Sequence, residues 1–359
     1  MLLSVAICTY NRAALLERCL ESLAAQSAAA DAFALLVVDN NCSDGTAQVL
    51  ERQRQPLPNL RVIHETRQGL SHARNAALAA TATPFLAFLD DDAIASPGWV
   101  EAALAYLEKA DPAVAVVGGP IIPILSRPIP AWIPPWTYPY LTIIDLGDQP
   151  RRSSSESLFA GANVIFRVDA LRAIGGFCPA LGRRGASLLS NEEVYLWQLL
   201  RQRGYACAYE PSIPVDHLVD AERLTYRWLM RRLFAEGLSA CTMARLLGRS
   251  DDPPPLLYLL YVSLLTLRTA LGPASLAALL RRRLSRDLVA RHAELALKLG
   301  RARACWRPGG HERGLRLELL PRRHRHRPLS ARADRCLQRR SAIRRVRRVR
   351  RVRRTGLCS

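Results

Sequence analysis

Along the first ninety residues, apolar runs alternate with segments whose apolar positions recur at helical spacing. Leu2 to Cys8, Phe33 to Val38 and Phe85 to Leu89 are near-continuous apolar runs, the pattern of strands covered on both faces. Leu60 to His64 predicts a shorter strand. Between the first two runs, Leu15, Leu16, Cys19, Leu20 and Leu23 fall on one face of a helix from about Ala13 to Gln26, with Asn11 as its expected cap. A second helix follows Gly69 and carries Ser71, His72, Arg74 and Asn75. Strands and helices alternating at this spacing predict a βαβ array around a parallel sheet. Further on, Val194, Leu196, Trp197, Leu199 and Leu200 predict a helix opened by Glu192 and Glu193. Ser212 to Val215 is strand-like, and Arg223 to Leu247 is helical in pattern.

Polar residues gather where the strands end: Thr9 to Arg12, Asp39 to Thr46, and Asp90-Asp91-Asp92. Open α/β sheets bind their ligands at that edge. Three adjacent aspartates repel one another, so a cation is expected among them, most simply a divalent metal with oxygen ligands. A solvated acidic turn is the plainer alternative. No GxGxxG follows the first strand and no GxxxxGK[ST] occurs anywhere, which disfavours a dinucleotide fold and a P-loop. Asp39 suits the imino proton of a base and Arg74 its face or edge, although a strand-end Asp is often only a turn former.

Composition changes less than its total suggests. The net charge is +20, but 21 of the 51 Lys and Arg, and only 3 of the 31 acidic residues, lie from Arg301 onward. The tail therefore carries +18 and the first 300 residues +2, so a folded part built to bind nucleic acid is not expected. The nine cysteines form no CxxC pair, which points to free thiols in a reducing compartment and no structural zinc. No secretory signal is visible at the N-terminus.

The segments VAICTYNR, VVDNNCSDGT, FLDDDA, FAGANVIFRVDALRAIGGF, LGRRG and SNEEVYLWQLLRQRGY, in that order, resemble the family-2 glycosyltransferases. The resemblance covers about residues 1–240. It implies a GT-A-type, Rossmann-like α/β fold, with a mostly parallel sheet flanked by helices and a C-terminal helical appendage. Residues 1–118 would be the nucleotide-binding half and 119–240 the acceptor and catalytic half. The implied activity is metal-dependent inverting transfer of a sugar from a nucleotide donor, taken as UDP-linked, to a hydroxyl acceptor. By resemblance Thr9, Tyr10, Arg12, Asp39 and Arg74 line the nucleotide pocket and Asp91 meets the ribose. Asp92 would bind Mg²⁺ or Mn²⁺, supported by Asp90. Glu193 would take the acceptor's proton, with Glu192 beside it; the family usually has Asp at the second position, so the reach of Glu193 is open. Alone, two acids in a first helical turn are explained by the helix dipole. His217 matches a position for a further metal or diphosphate contact, and is otherwise a structural histidine. Gly161 and Asn163 would let backbone approach the donor sugar, or else mark a close strand crossing.

Residues 120–150 interleave prolines with Trp132, Trp136, Tyr138 and Tyr140. They read either as an acceptor-binding lid or as a satellite apolar cluster. The apolar stretch Leu256 to Leu267 is too short to span a bilayer. Ala274 to Leu299 predicts a basic amphipathic helix, so residues 241–305 are expected to be helical and able to meet a membrane surface, with a lipid-linked acceptor in keeping. Residues 306–359 are Arg-rich and of low complexity, with disorder expected. A cytoplasmic location is expected, with the basic helices able to make peripheral contact with the inner face of the membrane. Two rivals are a nucleotidyltransferase, which would want a basic glycine-rich loop in place of CTYNRAALL, and a degenerate transferase acting as a basic membrane- or nucleic-acid-binding protein.

Overall fold

The computed structural model describes residues 1–155, 157–249, 262–265, 267, 269 and 284–305. Residues 256–261 and 266 of the predicted segment 256–267 lie outside these residues, as do the start of the predicted helix at 274–283 and the tail beyond 305. Two compact units are present. The described part of one is Met1–Pro134 with everything from Tyr138 onward; Pro135–Thr137 belong to the other.

The apolar runs do become strands. β1 (Leu3–Thr9), β2 (Phe33–Asp39), β3 (Leu60–His64) and β4 (Phe85–Asp90) pair in parallel in the order β3-β2-β1-β4. The helices α1 (Ala13–Ala24), α2 (Thr46–Gln53) and α3 (Leu70–Ala80) connect them. After β5 (Ala93–Ala95), α4 (Trp99–Leu107), β6 (Val114–Gly118), β7 (Ile121–Leu125) and β8 (Arg151–Ser153), β9 (Asn163–Arg167) runs antiparallel between β4 and β6. β10 (Ala206–Tyr209) pairs with β6 and β8, completing an eight-stranded sheet among the described residues. Apolar layers cover both faces, which is why its strands read as continuous apolar runs. One strand set thus runs with β1, while β9 and β8 oppose it.

A small second sheet, β5-β11-β7, is formed with β11 (Val215–Val219). It has a positional consequence: His217 pairs with Ala93, and Leu218 N donates to the Asp92 carbonyl at 3.0 Å, so the histidine is delivered beside the third aspartate. The helices α5 (Val168–Ala173) and α6 (Glu192–Gln202) follow β9. Next come α7 (Tyr226–Leu246), capped by Thr225, and α8 (Arg286–Cys305). Gly237 of α7 and Gly300 of α8 sit where the helices touch. A Cβ on Gly237 would strike the Leu297 carbonyl, and one on Gly300 that of Phe234.

One local expectation changes. Asn11 does not cap α1; it takes a left-handed backbone (φ 52°) and accepts from Ser43 N at 2.7 Å. Asp44 does the capping instead, receiving Ala13 N at 2.9 Å on one oxygen and Thr46 N at 3.1 Å on the other, so a single carboxylate tends the starts of both α1 and α2.

Candidate active site

The parallel register sets Thr9 beside Asp39 and Cys8 beside Asp90, so the three polar clusters do meet at one sheet edge. Within that edge the side chains divide into two linked groups.

The first group surrounds Asp91 and Asp92. Thr9 Oγ1 donates to Asp91 Oδ2 at 2.9 Å, and Arg12 binds both the Asp91 carboxylate and, at 2.7 Å, Asp92 Oδ2. Arg223 Nη2 reaches the same Asp92 oxygen at 3.0 Å. His217 Nε2 lies 3.3 Å from Asp92 Oδ1, close enough for charge pairing but without the alignment of a hydrogen bond, so Oδ1 stays buried and unpartnered. The cation that adjacent aspartates call for is therefore supplied in this structure by Arg12 and Arg223. Burial alone would raise the Asp92 carboxyl, but His217, Arg12 and Arg223 outweigh it and hold it far below the usual range. Asp91 goes the other way: burial, only partly offset by Arg12, pushes it up to about 7.

The second group is built on Arg74, which is 2% exposed and lies against the rings of Phe88 and Phe177, each 5.4 Å from its guanidinium carbon. Its Nη1 donates to Glu193 Oε1 at 2.8 Å and to Glu192 Oε1 at 3.1 Å, while Nη2 stands 3.5 Å from Asp90 Oδ1. One arginine on α3 thus joins the central strand to the start of α6. Gly161 explains itself here, since a Cβ there would collide with Glu193 Oε1 and Arg74 Nη2. Burial, and then the neighbouring Glu193, raise Glu192 to about 8, and its Oε2 is buried without a partner. Burial would raise Glu193 too, but the charge and hydrogen bond of Arg74 more than reverse it. At neutral pH Glu192 keeps its proton and Glu193 is a carboxylate.

The remaining predicted residues are placed as follows. Tyr10 is 39% exposed at the sheet edge. Asp39 accepts from Cys42 N at 2.8 Å and lies 3.4 Å from His64 Nδ1. Arg74 is not available to a base, because its guanidinium is enclosed by carboxylates and aromatic rings. Thr9 and Asp91 bond inward to each other, unlike residues presented to a ribose. Asn163 is fully buried: it accepts from Trp99 Nε1 and donates to the Pro120 and Ile213 carbonyls, which makes it a brace of the strand crossing. Trp132 is half-buried with its ring 6.5 Å from that of Tyr226, and Trp136 is half-buried in the separate unit Pro135–Thr137.

Sequence reasoning missed the supports on α7. Glu236 accepts from Ser190 Oγ at 2.8 Å and Asn191 Nδ2 at 2.9 Å, and Ser239 Oγ accepts from Ser190 N at 3.0 Å. These bonds fix the left-handed Asn191 (φ 73°) from which α6 and its two acids start. The signal was thin, as Glu236 is one acid within an ordinary helical pattern.

The carboxyls raised by burial make the pH dependence predictable. Glu192 and Asp91 hold protons in the fold at pH values where the unfolded chain has released them, and Asp90 is raised as well, although its side chain is one-third exposed and partly screened. Folded-state proton uptake means that stability falls as pH rises from about 5 to 8, by at most about 1.4 kcal/mol per pH unit for each group. Thermal melts of the ligand-free protein should show that decline, and Glu192→Gln should flatten it. An unchanged slope in the variant would refute the assignment.

The donor set suits a divalent cation. Asp92 Oδ1 has no hydrogen-bond partner and lies 3.3 Å from His217 Nε2, which also meets Arg223 Nη1 at 3.5 Å, while the Asp90 carboxylate faces Arg74. Among the described residues no three His, Cys, Asp or Glu converge into a cage, so further ligands would come from substrate or water.

A sheet with β9 inserted against its direction, acids at the ends of β4 and a pair of glutamates opening α6 define a GT-A glycosyltransferase fold. A mannosyltransferase from Pyrobaculum calidifontis, solved with GDP-Man and Mn²⁺, shares it with a TM-score of 0.54 at 22% identity, over 85% of this chain and 87% of that one. The model of glycosyl transferase family 2 matches residues 4–175. A glucosyl-dolichyl phosphate glucuronosyltransferase of Haloferax volcanii is 26% identical over 259 residues, 70% of this chain and 80% of that protein. A pre-mycofactocin glycosyltransferase of Mycobacterium tuberculosis is 30% identical over 242 residues, 64% of this chain, and the match spans about half (48%) of that relative's length. The family model, these relatives and the shared fold together support a family-2 glycosyltransferase.

Proposed function

We propose that this glycosyltransferase moves a sugar from a nucleoside-diphosphate donor to an acceptor hydroxyl with inversion, using Glu193 as the general base. The observation that carries the reading is the Arg74 Nη1 bond to Glu193 Oε1 at 2.8 Å, which holds that carboxyl low while burial raises its neighbour Glu192. In the step, the acceptor O–H proton passes to Glu193 and the new bond forms between that oxygen and the anomeric carbon. The bond from that carbon to the diphosphate oxygen breaks, and its electron pair leaves with the diphosphate. Developing charge on the leaving group is met by Arg12 and Arg223, held over the end of β4 by Asp91 and Asp92.

Asp92 and His217 are the residues that would hold Mg²⁺ or Mn²⁺, with Asp90 beside them, and the bound cation would add positive charge at the diphosphate oxygens. The Pyrobaculum mannosyltransferase was solved with Mn²⁺ and a nucleotide sugar, which supports this reading. Asp39 and Tyr10 remain the candidates for the base. The donor is taken as a UDP-sugar, with GDP as the alternative that the same neighbour raises. The relative whose name includes a dolichyl phosphate supports a lipid-linked acceptor. The basic helix α8, with Arg286, Arg291, Arg301 and Arg303, suits the cytoplasmic face of an anionic membrane. No helix among the described residues is long and apolar enough to cross a membrane.

Calorimetric titration of UDP and GDP into the full chain, with and without Mn²⁺, tests the donor class. One nucleotide should bind in a Mn²⁺-dependent way, and Asp92→Asn should weaken it by about tenfold or more, the scale of one strong charged contact. A folded protein that binds neither nucleotide would sink the reading.

A further inference from the structure

The transfer chemistry accounts for the carboxylates but leaves unexplained the arginines that crowd them on the side of α6 and α7. Arg183 follows Gly182, whose amide donates to the Ser190 carbonyl at 3.4 Å. Ser190 Oγ donates to Glu236 Oε2 at 2.8 Å, and that oxygen also accepts from Arg232 Nη1 at 2.9 Å. These links bring Arg183 and Arg232 to one corner beside the glutamates of α6. The Nη1 of Arg183 is buried without a hydrogen-bond partner, and so is the Nε of Arg232. Arg232 is otherwise fixed, by Glu236 and by the Tyr140 ring 5.4 Å from its guanidinium carbon.

Donors left without acceptors, on like charges gathered together, destabilise a fold. Burial first, and then repulsion by Arg232 and Arg223, push Arg183 down to about 10 in spite of Glu192 and Asp90. Glu192, moreover, keeps its proton at neutral pH and offers little compensating charge. Selection for stability alone would put a neutral residue at position 183. An anion is the partner that would relieve both costs.

We infer that Arg183 and Arg232 form an anion subsite that receives a phosphate group carried by the acceptor. Planar guanidinium groups with free N–H donors match phosphate oxygens. The placement favours the acceptor over the donor. The corner adjoins Glu192, the neighbour of Glu193 at the start of α6, whereas Arg12 and Arg223 already gather positive charge for the donor diphosphate at Asp92. The inference rests on the reading of Glu193 as the base.

Calorimetry on the full chain with geranyl monophosphate, inorganic phosphate and the preferred nucleoside diphosphate tests it. Geranyl monophosphate should bind, and Arg183→Gln should weaken it about tenfold or more, as for one charge-assisted hydrogen bond. Nucleoside diphosphate affinity should be unchanged. The melting temperature of Arg183→Gln should hold or rise, which a structural arginine would not allow, and Arg232→Gln should weaken the same probe. Inorganic phosphate binding as tightly as geranyl monophosphate would overturn the acceptor as source, since the lipid-bearing group would add nothing. Nucleoside diphosphate affinity falling in parallel would assign Arg183 to the donor and overturn it too. So would geranyl monophosphate failing to bind the wild type, or binding Arg183→Gln equally well. Geranyl monophosphate binding that depends on Arg183, in a protein that binds no nucleoside diphosphate, would keep the subsite and sink the donor assignment alone.

Discussion

Glu193→Gln should lower kcat on the order of 10²–10⁴-fold, the range a positioned general base contributes, while leaving donor binding close to that of the wild type. The melting temperature should fall, because Arg74 loses its main counter-charge. The reason lies in what the substitution keeps. Glu193 meets Arg74 through Oε1 alone, at 2.8 Å, and an amide oxygen keeps that bond's geometry while losing its charge. The amide cannot take a proton from the acceptor, so the loss falls on the chemical step. Glu192→Gln is the internal control, because Glu192 already carries its proton at neutral pH and an amide mimics it. Its kcat should fall far less. Steady-state rates with saturating donor, alongside donor titrations, separate the two variants. Equal losses in both would show that the pair acts as one unit and that Glu193 is not singled out as base.

Sequence reasoning places the acids of this site and misses their partners, and both outcomes have a physical cause. A buried parallel strand must be apolar throughout and must end in the ligand edge, so Phe85 to Asp92 announced both the central strand and the acids. Two acids opening an amphipathic helix were equally visible. Partnership was not. The position of Arg74 on α3 is legible and offers it to a base, whereas the direction of its long flexible side chain is settled by distant carboxylates on β4 and α6. The sequence leaves Asn163 open between backbone approach to the donor sugar and a close strand crossing, and the crossing is settled by Trp99 and two carbonyls that lie 43 or more residues away in sequence. Asn11 and Asp44 exchanged the capping role for the same reason, since two loops from different strands meet there. Contacts between side chains remote in sequence leave no local pattern to read.

Arg74→Met should destabilise the fold by about 3–5 kcal/mol at neutral pH, the cost of leaving buried charges without their partner. Methionine fills much of the same space between Phe88 and Phe177, so the loss isolates charge from packing. Without the guanidinium, Glu193, Glu192 and Asp90 face one another in a buried corner. Glu193, held low in the wild type by Arg74, would then have a folded-state pKa above its unfolded value. A carboxyl raised in that way favours the fold when protonated, so stability is lost as pH rises through the raised value. The deficit of Arg74→Met should accordingly be larger at pH 8 than at pH 5, a dependence that an overpacked or underpacked core would not show. Adding Glu193→Gln removes the charge that Arg74 had balanced. The double variant should therefore be more stable than the sum of the single losses predicts, with a coupling of about 0.5–3 kcal/mol in denaturant unfolding. Strict additivity would mean that Arg74 acts through its packing alone, and the electrostatic link from the central strand to α6 would have to be abandoned.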